Sequence, residues 1–187
     1  EGVSSARLWE DGKGVGDLKL KMGGRHNLLN ALGAAASARA LGAEWDDIKT
    51  GLSNFRGVER RFQLVGEVNG VVVIDDYAHH PTELAAALRA ARNMYEGRRL
   101  VAVFQPHLYS RTRDFARAFG EALAVADKVW LTDIFPARED PIPGVDGYTL
   151  VSAVIEAGVD DDLCYVESLD ALAAQVAADT REGDVVL

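Results

Sequence analysis

FQLVGEVNGVVVIDDYAHHPTELAAALRAARNMY, Phe62–Tyr95, decides the fold, because its apolar period changes partway along. FQLVGEV and VVVIDDY read as two strands, and the Asn69-Gly70 pair between them supplies the positive φ angles that a two-residue type I′ hairpin turn requires. After Pro81 the spacing becomes helical, with proline at the position where a first helical turn accepts it. The stretch is therefore an antiparallel hairpin that feeds directly into a helix.

Working outward toward the C-terminus, the pattern alternates. RLVAVFQ, KVWLTDIF, LCYVE and DVVL read as strands, separated by the helices RTRDFARAFGEALAVA, YTLVSAVIEAG and SLDALAAQVAADT. Strands of nearly continuous Val, Leu and Ile belong to a parallel sheet covered on both faces. The fold class expected is α/β, a Rossmann-like, doubly wound, mostly parallel sheet with an antiparallel hairpin at its start. Toward the N-terminus, DLKLKMGG reads as a strand, and RHNLLNALGAAASARALG and EWDDIKTGLSNF as helices. Residues 1–16 are expected to end a strand region whose partners lie upstream, because one strand and two helices cannot bury a core alone. The boundary falls near Gly57, giving segments 1–56 and 57–187. The opening at Glu1 and the strand-like ending GDVVL, with no turn signal after it, are what a piece of a longer polypeptide would show.

Composition narrows the function classes. With 48% hydrophobic and 26% charged residues, the 187-residue chain is globular rather than disordered. A formal charge of -9, without a dense basic face, argues against nucleic acid as a partner. The single cysteine, Cys164, excludes a disulfide framework and reads as a small core residue in a reducing compartment. No run is long and apolar enough to suggest a membrane span, so a cytoplasmic location is expected.

In an open parallel sheet, ligands bind beyond the carboxyl ends of the strands. Three polar segments fall at such places: DDYAHHP, QPHLYSRTR and DIFPARED. In the first, Pro81, Thr82 and Glu83 are explained by helix initiation, with His80 beside the cap. Asp75, Asp76, Tyr77, His79 and His80 are left over; capping, a metal site and small-molecule binding are all compatible with them, and binding explains most of the set. In the second, Arg111 beside His107 suggests a held anionic group, since guanidinium grips carboxylates and phosphates at two points. Arg113 and Arg117 read as a solvated helix face. At the start of an upstream helix, His26, Asn27 and Asn30 gather, and the two Asn, three apart, share one face with groups able to read the edge of a base, although capping also accounts for Asn27.

HNLLNALGA, GVERRFQ, DDYAHHPTE, FQPHLYSRTR and DIFPAREDPIPGV, in this order and spacing, resemble the Mur ligases of peptidoglycan synthesis. The resemblance covers nearly all of the chain from about Gly23 onward. It implies that 1–56 is the C-terminal part of a central P-loop-type ATPase domain and 57–187 most of a C-terminal Rossmann-like, amino-acid-binding domain. Among the family's branches it points to the one that joins L-alanine to UDP-N-acetylmuramate, with ATP as phosphoryl donor and an acyl phosphate as intermediate. By the same resemblance His26, Asn27 and Asn30 are adenine-side contacts, Arg61 reaches the ATP phosphates and Asp76 holds the ribose. Tyr77, His79, His107 and Arg111 line the amino-acid pocket, and Arg61 and His79 are the catalytic candidates. Leu108 stands where some members carry a second arginine. The chain has no GxxGKT-type phosphate loop, and the resemblance puts the Mg²⁺ ligands upstream, so no ligation is expected of this fragment alone. Rival readings are a ligase that recycles a ready-made tripeptide onto the same sugar acid, and a non-catalytic module that binds a nucleotide or an amino acid.

Overall fold

A computed structural model describes residues 4–22 and 25–187, the side chain of His26 excepted. The chain divides into two compact units, Glu1–Val58 and Glu59–Leu187.

In the first unit, β1 (Ser4–Glu10) and β2 (Lys13–Leu20) pair antiparallel across a two-residue turn. Its residues Asp11 and Gly12 have φ of 48° and 78°, the I′ requirement that Asp-Gly meets readily. This corrects the expectation that the first strand pairs with something upstream, and the signal was present in WEDGKG. Helices α1 (Arg25–Ala40) and α2 (Trp45–Asn54) follow. With a second strand present, the unit buries a small core of Leu8, Leu18, Leu20 and Ala31, flanked by Leu28, Trp45 and Leu52. The Glu10 carboxylate fastens both helices to the hairpin, accepting from Trp45 Nε1 at 2.9 Å and Arg39 Nε at 3.0 Å.

The second unit opens with β3 (Gln63–Val68) and β4 (Val71–Asp75), antiparallel, joined by Asn69 and Gly70 at φ 51° and 75°. There follow α3 (Pro81–Met94), β5 (Leu100–Phe104), α4 (Tyr109–Leu123), β6 (Lys128–Leu131), α5 (Gly147–Glu156), β7 (Leu163–Tyr165), α6 (Leu169–Asp179) and β8 (Val185–Val186). The sheet order is β3-β4-β8-β5-β6-β7, parallel except for the first pair. From β4 to β7 the chain advances in one direction, and α3, α4 and α5 contribute to one core with Ile74, Ala102, Phe104 and Leu131. It then reverses to insert β8 between β4 and β5. Right-handed crossovers place a returning helix on the opposite face, and α6 accordingly packs Leu172 and Val176 with Val101 and Trp130. Alternate residues of β5 thus serve two cores, the pattern expected of a doubly wound sheet. Cys164 packs at the edge of the second core as a free thiol.

Two residues make β8 a short central strand, and neighbouring arginines reinforce it. Arg98 donates to the carbonyls of Gly70, Gly183 and Asp184, and Arg99 pairs with the buried Asp184 carboxylate at 3.2 Å.

Candidate functional site

The sheet order leaves the turns after β4, β5 and β6 at the carboxyl edge of one sheet, and the second unit's predicted site residues lie on them. Arg61 approaches from the segment before β3. Its neighbours Arg60 and Phe62 have φ of 58° and 48°, uncommon for non-glycine residues and costing on the order of 1–3 kcal/mol each. Such a kink persists where surrounding contacts impose it. Here Tyr77 N–H donates to the Arg60 carbonyl at 2.7 Å, and Asp76 accepts from Phe62 N–H, also at 2.7 Å. The other Asp76 oxygen accepts from Ala78 N–H at 2.7 Å. Asp76 therefore joins the kinked segment to the turn after β4, a structural task beyond the one the sequence suggested. Asp75 pairs with Arg60 on the exposed side, and the Arg60 guanidinium lies 5.0 Å from the centre of the Tyr77 ring.

Hydrogen-bond partners fix the imidazole tautomers. His79 Nδ1 lies 2.9 Å from the Tyr77 carbonyl, which can only accept, so Nδ1 carries a proton there, and 3.6 Å from Glu83 Oε2. His107 is the reverse: Arg111 Nη1, an obligatory donor, lies 3.2 Å from its Nδ1. Burial first, and then the Arg111 and His79 charges, hold His107 below its ordinary value, with Glu139 opposing; the neutral ring is the favoured form. His80 instead caps α3, accepting from Thr82 N–H, and its ring contacts Phe115. The two adjacent histidines thus point apart. Glu83 accepts from His79 N–H at 3.2 Å, a bond that lowers its pKa, and lies 3.9 Å from Arg61 Nη1.

Between these groups the rings form a row. Tyr77 to His79 is 5.1 Å between centroids, His79 to His107 6.3 Å, and His107 to Phe135 5.7 Å. Among the described residues Arg111 has no carboxylate within ion-pair distance, so its charge faces the site uncommitted apart from the His107 contact. The pair is suited to holding a small anion beside a neutral base, with an exposed cation, Arg61, within reach of a second anionic group.

The structure brings Arg61, Asp76, Tyr77, His79, His107 and Arg111 onto one edge of the second unit. Asn27, half-buried, and Asn30, exposed, lie on α1 of the first unit; the side chain of His26 falls outside the described residues. Sequence reasoning assigned no role to Arg60, Phe135 or Glu139. The last two belong to DIFPARED, whose position after a strand was the available signal. Arg60 depends on a backbone kink that no motif announces. Among the described residues no three His, Cys, Asp or Glu side chains gather as metal ligands. A groove of about 680 Å³ in the second unit lies elsewhere and is bordered mainly by apolar residues such as Val73, Val103, Leu172 and Val186. The polar groups converge on the carboxyl edge of the sheet instead.

A sequence model of the family described as "Mur ligase, glutamate ligase domain" matches residues 60–187. A UDP-N-acetylmuramate–L-alanine ligase of Cutibacterium acnes is 52% identical over the whole chain, which spans 39% of that relative's length. Among solved structures, a UDP-N-acetylmuramate-alanine ligase of Thermotoga maritima superposes with a TM-score of 0.70 at 31% identity, covering 98% of this chain and 38% of the other. A murein peptide ligase of Psychrobacter arcticus gives 0.69 at 26% identity, covering 91% and 35%.

Proposed function

Since the chain belongs to the Mur ligase family, we propose that the polypeptide containing it joins L-alanine to the carboxyl group of UDP-N-acetylmuramate, with ATP as phosphoryl donor. The observation that carries this reading is the meeting of Arg111, neutral His107 and His79 at the ends of β5 and β4. An α-amino acid presents a carboxylate and an ammonium on one carbon, and the site offers a guanidinium for the first and an imidazole for the second.

The chemistry divides into two steps. A muramate carboxylate oxygen attacks the γ-phosphorus and ADP leaves, because a carboxylate becomes a competent electrophile only when one oxygen is part of a good leaving group. The amine then attacks the acyl carbon and inorganic phosphate leaves. The attacking nitrogen must be neutral, and His79, whose Nδ1 is engaged by the Tyr77 carbonyl, would accept the ammonium proton at Nε2. Arg61, exposed and only loosely paired with Glu83, is the group available to offset charge on the transferred phosphoryl. Asp76, each of whose oxygens retains a lone pair, would hold the ribose. His26, Asn27 and Asn30 would meet the adenine. We assign residues 1–56 to the ATP-binding domain and 57–187 to the amino-acid domain. Mg²⁺ ligands are assigned to the rest of the polypeptide.

The test is phosphate release by the complete polypeptide with ATP, Mg²⁺ and UDP-N-acetylmuramate. Release that depends on L-alanine is expected. Release only with an L-alanyl-D-glutamyl-diamino-acid tripeptide would move the assignment to the peptide-recycling branch, whose P. arcticus member superposes almost as well.

A further inference from the structure

DIFPARED remains without a function in this reading, although hydrogen bonds at three of its residues fasten it beside the site. Asp133 receives Tyr165 O–H at 2.6 Å on its carboxylate and Gln105 Nε2 at 3.4 Å on its carbonyl. Phe135 continues the sheet beyond its strands: its N–H donates to the Pro106 carbonyl at 2.8 Å, and its carbonyl accepts from Leu108 N–H at 2.9 Å, opposite His107. Glu139 accepts from both the N–H and the hydroxyl of Ser110, in the first turn of α4 and next to Arg111. The loop is therefore tied to the segment that carries His107 and Arg111.

Held in this way, the Phe135 ring lies 28° from parallel to the His107 imidazole and stays 50% exposed. It ends the row Tyr77, His79, His107, Phe135. On the proposed reading, the amino acid's carboxylate meets Arg111, and its amine faces the His79 end, toward Arg61. Its α-carbon then has one heavy substituent left, the side chain, directed to the opposite end of the row, where Phe135 stands. We propose that Phe135 is the specificity-determining wall of the amino-acid site, limiting the substrate to side chains about the size of a methyl group. Glu139 positions that wall through Ser110.

This rests on the ligase assignment, and one experiment separates the two. In the complete polypeptide, kcat/KM is measured for L-alanine, L-2-aminobutyrate and L-valine in the unaltered enzyme, Phe135→Ala and the milder Phe135→Leu, with unfolding midpoints taken alongside. One methylene in a fitted pocket discriminates by roughly 10–200-fold. Phe135→Ala should therefore reduce the preference for L-alanine over L-2-aminobutyrate at least tenfold, and Phe135→Leu should fall between, with the KM for ATP within twofold. An unchanged ratio in two folded variants, or equal loss for all three amino acids, would overturn the assignment of Phe135 while leaving the ligase reading intact. No L-alanine-dependent phosphate release in the unaltered enzyme would overturn both.

Discussion

Asp76 and Arg111 differ in what the sequence revealed of them. For Arg111, read as an anion-holding group, the structure places Nη1 3.2 Å from His107 Nδ1, as their closeness in sequence suggested. Asp76 was read for a ligand, yet the structure engages both its oxygens with backbone N–H groups from two segments. That pairing spans 14 residues and depends on the kink at Arg60 and Phe62, which no local pattern encodes. Hydrogen bonds to charged groups contribute about 1.5–3 kcal/mol each, discounted here because the site is only half-buried. Asp76→Ala should therefore lower stability by about 2 kcal/mol in denaturant unfolding, and Asp76→Asn by less. A loss of ATP affinity at unchanged stability would mean that the carboxylate serves the nucleotide alone.

Among the elements, the hairpin, helices and strands of residues 59–187 were legible because period and turn chemistry agree throughout. The start of α4 was not. It begins at Tyr109, two residues before the expected Arg111, after Leu108 at φ 72° with no cap from its own side chain. Its first-turn acceptor is Glu139, which is 29 residues distant, and a cap from another loop leaves no local signature. Close helix packing was likewise hidden. A Cβ on Gly120 would lie 2.2 Å from the Ala153 carbonyl oxygen on α5, so Gly120→Ala must push backbone apart and should cost about 3 kcal/mol. Gly33→Ala, on the exposed face of α1 with open space around it, should instead stabilise by roughly 0.5–1 kcal/mol. Unfolding midpoints of the two variants should move in opposite directions; movement in the same direction would contradict the packing described.

At the scale of the whole molecule, the insertion of β8 between β4 and β5 could not be read from DVVL, because strand order follows from the handedness of crossovers and not from composition. The pairing of β1 with β2 was readable in Asp11-Gly12. Charge placement gives a global expectation. Glu83 and Glu139 are held below the ordinary 4.5 by the His79 N–H and by Ser110, and His107 below 6.5 chiefly by burial. Each binds its proton less readily in the folded chain than in the unfolded one, so stability falls as pH falls. The His107 contribution is complete above about 6.5 and is lost on acidification below it, and the carboxylate contributions are lost below about 4.5. A thermal midpoint that declines from pH 7 toward pH 3 is expected, and one that rises over that interval would reverse the sign of the account.

The central claim, that the β4 and β5 turns of the second unit receive the amino acid, is tested most directly by steady-state kinetics of Arg111→Ala in the complete polypeptide. Loss of a charge-assisted contact of about 1.5–3 kcal/mol predicts a KM for L-alanine raised roughly 10- to 100-fold, with the KM for ATP unchanged. Equal rises in both, or none for L-alanine, would contradict it.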